Sequence, residues 1–499
     1  MPPRFNCVLA FAIFAISPLY SDDLASEQQA RAALAALPDP NDRQALSLWN
    51  TLGTIHQAQG KLTEAEADYR RALALSPSKT IEASLLNNLA TVKQAQRDFA
   101  HADSLLKLGY EILKATNSLQ TKAAGPLLAN LALNFQQLGK LVDSERTYRE
   151  AESVFEHTLN IVTADFVLFL SNFGLLNFEI GQYKEGIARQ RRALEIQAKL
   201  PSPTNAQRAY VLNNLGLGLS EVGELAEASS FLRQAVELEQ TGPASADRHL
   251  VDTLSNLASL EEKLGRYDDA RQHELQAERV ARATLSETDP TWGTIWNNLG
   301  LIAMMRRDFR EAKSRLDRAA NHWVQTLGPE SPRYSLTLSN LAGLERVRGH
   351  HKQAERFANQ ALTIDLAYYG PSHPHVAADL TILAGEVFHL KKTQESIELL
   401  LRAKAIQDKL PPGLALARIL NDLAIAYLKT GNVHEAKDYY EQAVRIYEAQ
   451  QPPQSPQLAT CLHQYATLLR SLGDFANAEQ IEVRATRADV QTALASGFR

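Results

Sequence analysis

Cysteine is nearly absent: Cys7 and Cys461 are the only two among 499 residues. Two cysteines cannot assemble a Cys-based zinc site. Charge of one sign is lacking too. Lys and Arg number 52 against 57 Asp and Glu, for a net charge of -5 and a pI near 6.3. Bulk electrostatics therefore gives no hold on nucleic acid, and no basic cluster of the kind that tracks phosphates stands out along the chain. The apolar run Val8–Ile16 is too short to span a bilayer comfortably. Signatures of catalysis are missing as well. There is no His-Glu-x-x-His, no Gly-x-Ser-x-Gly and no phosphate-binding glycine loop, and Leu138-Gly139-Lys140 reads as a turn.

What the chain has is one unit, repeated. Leu212, Leu215 and Leu219 share a helical face. Gly223 breaks that helix, and Ala228, Leu232, Ala235 and Val236 line the next. With Leu215 as marker, its equivalents are Leu52, Leu89, Leu131, Phe173, Leu257, Leu299, Leu341, Leu383, Leu423 and Tyr465. Most steps are 42 residues, a period that belongs to a helical solenoid. The residue after the marker is always Gly or Ala. Positions thirteen and twenty after it, such as Ala228 and Ala235, are always Ala, Gly or Ser. A larger side chain there would force paired helices apart.

This order of small residue, turn glycine, aromatic or Leu, then two alanines resembles the tetratricopeptide repeat (TPR). The 42-residue period, the Leu-Asn-Asn-Leu openings and the Gly370-Pro371-Ser372-His373-Pro374 connector resemble the kinesin-light-chain type. The resemblance implies an all-α solenoid of about 11 helix-turn-helix repeats, wound as a right-handed superhelix. It also implies a non-catalytic scaffold that takes proteins or extended peptide segments in its concave groove. The alternatives are an assembly protein working through its convex face or repeat ends, and, less favoured, an enzyme with a site built on the groove. Eleven repeats leave no segment large enough for a catalytic domain, and no cofactor or metal is expected.

Residues 1–21 read as a signal peptide: Arg4, an apolar run, then Ser17-Pro18-Leu19-Tyr20-Ser21 ahead of Asp22-Asp23. Export to the periplasm or beyond follows, with no stable membrane span once the signal is cleaved. Cys461 would then be the sole cysteine and no intrachain disulfide could form. Residues 22–45 read as a capping helix, 46–486 as the array and 487–499 as a terminal cap or tail. Repeat nine is the most degenerate, with Lys391 at the turn and Ser396 for the usual alanine, and is expected to be a softer joint.

Two polar series accompany the markers. The residue just before is Asn in seven repeats (Asn88, Asn130, Asn172, Asn214, Asn256, Asn298, Asn340) and reads as structural hydrogen bonding. The residue two before includes Asn50, Asn87, Ser171, Asn213, Ser255, Asn297, Ser339 and Asn421. By the resemblance this stripe lines the groove, where an amide can serve both N–H and C=O of an extended peptide. Phe178, Tyr210, Met304 and Met305 are expected beside it, as shallow pockets for side chains. Glu179, Glu221 and Glu262 lie in the middle repeats, whereas Arg346, His389, Arg418, Lys429 and Arg470 lie later. His350-His351 sits within a repeat and His373/His375 in a connector, on opposite edges, so the four cannot readily share a metal.

Overall fold

In the computed structural model, residues 24–37, 43–158, 162–201, 203–241, 247–410, 412–449 and 456–495 are described. The expected signal peptide lies outside them. Among the described residues there are 23 helices and no strand. The first, Leu24–Ala35, precedes the array, and the other 22 pair off as eleven helix-turn-helix repeats. Each marker lies on the first helix of its pair. The chain divides into two compact units, one ending at Thr253 and the other beginning at Leu254.

Local chemistry explains the helix boundaries. The turn within a repeat places one residue in the left-handed region, and glycine fills it at Gly60, Gly139, Gly181, Gly223, Gly265, Gly349, Gly431 and Gly473. Some first helices open on side-chain caps: Thr163 accepts from the Phe166 amide and Thr204 from that of Gln207. Ser331 caps a helix with Pro332 in its first turn. Such caps each stabilise a helix by about 1 kcal/mol.

In the N-terminal unit, the small positions hold paired helices together. A Cβ on Gly53 would lie 2.7 Å from the Tyr69 ring, and one on Gly216 would lie 2.7 Å from Leu232 Cγ. Repeats three and four meet in an aromatic core in which Tyr148 stacks on Phe173 at 5.0 Å and Phe155 meets Phe169 at 4.9 Å. The leading helix buries Ala30 and Leu34 against Ala45 and Leu52. His56 links to it by hydrogen bonds: its Nδ1 lies 2.6 Å from Asp68, while Arg31, itself paired with Glu27, reaches Nε2 at 3.1 Å.

In the C-terminal unit, repeat nine is not loosely built. Ser396 is buried, and Ile397, Leu400 and Ala403 pack with Leu380 and Leu383 in a core that continues into Ile419 and Leu423. These aliphatic residues supply what the degenerate signature lacks. His373 is buried rather than solvated. It stacks on Tyr369 at 4.1 Å, and its Nδ1 accepts from the His375 amide, capping the following helix.

Candidate functional site

The two polar series bond to each other. In four repeats the Asn before the marker donates to the residue two before the previous marker: Asn88 to Asn50 (3.0 Å), Asn130 to Asn87 (2.9 Å) and Asn214 to Ser171 (3.0 Å) in the N-terminal unit. In the C-terminal unit Asn340 donates to Asn297 (3.0 Å), which also accepts from Thr337 (3.1 Å). These bonds join the first helices of neighbouring repeats. The structural reading of Asn88, Asn130, Asn214 and Asn340 therefore holds.

The second series differs from its expected exposure. Asn87, Ser171, Asn213, Ser255, Asn297 and Ser339 are each no more than 3% exposed. Ser255 donates to Glu274 at 2.9 Å and Ser339 to Asp379 at 2.8 Å. The apolar residues beside them are core rather than open pocket. Phe178 covers the Cβ side of Gly186 and Gly218, and Tyr210 donates its hydroxyl to Asn172 at 2.8 Å. Met304 is buried, and only Met305 of the four is half-buried. The reason is enclosure. In the middle repeats the first helices are walled in on all sides, so that every residue from Thr291 to Met304 is buried.

Within the C-terminal unit the first helices open from repeat eight onward. The position two after the marker becomes Gly343, Gly385, Ile425 and Thr467, and the position five after it becomes Arg346, Phe388, Leu428 and Arg470. All eight are half-buried or exposed. Asn421 is half-buried: it hydrogen-bonds the Asp422 carboxyl, and its Oδ1 is a buried atom with no partner among the described residues. Gly343 and Gly385 are interior to the helices Pro332–Val347 and Pro374–His389, yet a Cβ on either would meet nothing within 4 Å. No packing inside the protein requires glycine at these two places. The sequence signal was a glycine at a helix-interior position that carries Leu, Ser or Thr in earlier repeats.

The charges nearby are linked. Glu386 is buried, 3.6 Å from Arg346 and 3.2 Å from His351 Nδ1. Burial raises its carboxyl above the ordinary range, and His351 and Arg346 partly offset this. His351 and His389 stack at 4.4 Å, and burial followed by the His351 and Arg346 charges lowers the His389 pKa. Of the expected acidic side, Glu179 accepts from Gln136 at 2.6 Å, Glu221 is exposed, and Glu262 is buried with its pKa pushed up to about 8 by desolvation. Among the described residues, no three His, Cys, Asp or Glu side chains converge as a metal site, and no helix is long and apolar enough to cross a membrane.

A tetratricopeptide repeat model matches residues 43–115, 166–240, 293–367, 377–449 and 416–489, and a second one matches 250–291. These matches cover more than half of the chain. The chain belongs to the tetratricopeptide repeat family. TPR units are protein-interaction scaffolds, and this chain has that architecture throughout the described array. Solved structures similar to this TPR chain include a Rap protein complexed with competence and sporulation factor. It is 13% identical, with 74% of this chain and 99% of that one covered and a TM-score of 0.54. A putative kinesin light chain from Podosopora anserina is 24% identical, covering 41% and 99% with a TM-score of 0.35. BtubC from P. vanneervenii is 21% identical, covering 45% and 91% with a TM-score of 0.39. No curated protein sequence matches significantly.

Proposed function

We propose that this TPR chain is a non-catalytic scaffold that captures an extended protein segment on the first-helix face of repeats eight to eleven. The observation that carries this is the pair Gly343 and Gly385. Glycine inside a helix destabilises it by roughly 0.5–1 kcal/mol relative to alanine. Here no internal contact accounts for it, whereas a ligand backbone approaching closely would. Phe388, Ile425 and Leu428 offer apolar contact, beside the ion pairs Arg346–Glu386 and Arg470–Glu482. Within the same C-terminal unit, Asn297, Ser339 and Met304 are buried and belong to the packing rather than to this face.

The test is affinity capture from the native cell envelope with Gly343→Leu/Gly385→Leu beside the parent chain. Loss of a partner with an unchanged or raised unfolding midpoint supports the reading. If the glycine variant keeps the partner, and substitution of outward residues of the second helices, such as Arg192→Ala with Glu227→Ala, loses it, the convex face is the binding surface instead.

A further inference from the structure

The C-terminal unit gathers cations that the sequence scatters. Its six within-repeat turns are residues 263–267, 305–309, 347–351, 389–393, 429–433 and 471–475. They hold eight Lys or Arg against two carboxylates, Asp308 and Asp474. Asp308 is engaged as a helix cap, and Asp474 accepts from Asn477. The corresponding five turns of the N-terminal unit hold three cations against four carboxylates. Contacts within the C-terminal unit show that successive turns adjoin. Arg306 pairs with Asp268 of the preceding repeat, Lys392 reaches Glu355 of the preceding repeat at 2.6 Å, and His351 stacks on His389. Residues about 42 apart in sequence thus form one edge.

Two of these cations occupy a position that resists them. The left-handed residue of the turn is glycine at Gly265, Gly349, Gly431 and Gly473, but Arg307 (φ +64°) and Lys391 (φ +66°) hold it in repeats seven and nine. A side chain strains that conformation. Strain retained at an exposed position is a pointer to function. Arg266, Arg307, Lys391 and Lys429 are exposed and ion-pair with no carboxylate among the described residues. Other charges on the edge are matched: Arg348 by Glu345, and Lys392 by Glu355 and Glu395. Exposed apolar side chains lie among them: Val347 (54%), Leu472 (49%) and Phe475 (69%).

We infer that this turn edge of the C-terminal unit docks on an anionic phospholipid surface. Cations at spaced turns meet headgroup phosphates, while Val347, Leu472 and Phe475 enter the interfacial layer. Nucleic acid is the less favoured anion, because stacking on bases needs interleaved aromatic side chains and Phe475 is the only Phe, Tyr or Trp exposed on the edge. The contact lies on the turns, which follow directly on the first-helix face assigned to peptide.

The test is co-sedimentation of the full chain with vesicles of phosphatidylcholine mixed with phosphatidylglycerol, and with vesicles of phosphatidylcholine alone. Binding to the first and not the second, weakening as salt rises, is expected. The variant Arg307→Gly/Lys391→Gly/Lys429→Gln should bind at least about tenfold more weakly. Its unfolding midpoint should not fall, since glycine is the array's own residue at two of the three sites. Equal binding to neutral vesicles, no binding at all, or undiminished binding by the variant overturns the inference. So does binding of a DNA duplex that the variant loses while neither vesicle is bound, which would assign the edge to nucleic acid.

Discussion

Glu274 holds in repeat six the position that Gln190 holds in repeat four. Gln190 accepts from Ser171 Oγ at 2.7 Å, and Glu274 accepts from Ser255 Oγ at 2.9 Å. The following Asn completes each group: Asn214 donates to Ser171 at 3.0 Å and Asn298 to Glu274 at 3.5 Å. Both side chains are fully buried. Other repeats put Tyr69, Leu232 or Leu316 there. The array therefore contains its own neutral counterpart of Glu274. Desolvation, with a smaller contribution from Glu278, pushes the Glu274 pKa up to about 8 despite the Ser255 and Asn298 bonds.

From this follows a pH dependence. The folded chain holds the Glu274 proton up to about pH 8, whereas the unfolded chain releases it near 4.5. The stabilisation from that proton is complete below about 4.5 and is lost as pH rises through 8, at up to about 1.4 kcal/mol per pH unit. Glu262 acts in the same direction. Glu274→Gln should stabilise the chain at pH 8 by roughly 1–3 kcal/mol and leave it unchanged near pH 5. Urea unfolding at the two pH values checks this, and an equal effect at both would mean that the carboxyl is not held protonated.

A second expectation concerns Asn297. Its Oδ1 accepts from both Thr337 and Asn340. Asn297→Ala removes a buried acceptor of Asn340 and leaves the Thr337 hydroxyl only the Arg333 carbonyl, at 3.2 Å, and should cost about 1–3 kcal/mol of stability. Asn421→Ala, at the half-buried equivalent in repeat ten, should cost under about 1 kcal/mol. Denaturant midpoints for the two variants decide it, and equal losses would show that Asn421 is held as tightly as Asn297.

The repeat was legible because its signal is local. Leu215, Gly216, Ala228 and Ala235 each report a contact within one helix pair, and such contacts recur wherever the pair recurs. Enclosure of the first helices was not legible, because it depends on how neighbouring pairs stack. Asn213 and Asn214 are both polar and adjacent, and nothing in the sequence says that both side chains turn inward. The same limit applied to Phe178, whose ring is covered by a helix about 40 residues later that has Gly218 to receive it. The open face failed to stand out for a different reason. Gly343 and Gly385 are informative through the open space beside them, which exists only once the helices are packed.

The final prediction sets two small residues against each other. Ala228 is fully buried at the junction of paired helices, and its carbonyl oxygen would lie only 3.2 Å from a Cβ on Gly216. Ala228→Leu adds three carbons where there is no room, so it should destabilise by roughly 1–3 kcal/mol through overpacking. Gly385 is the converse. Its backbone is helical and space is open beside it. Gly385→Ala removes backbone freedom from the unfolded chain and strains nothing in the folded one, so it should stabilise by about 0.4–1 kcal/mol. Thermal unfolding of the two single variants therefore moves in opposite directions. If Gly385→Ala also lowers the midpoint, the first-helix face at repeat nine is covered by the protein itself. The glycine would then have an internal cause, and it would no longer support ligand capture there.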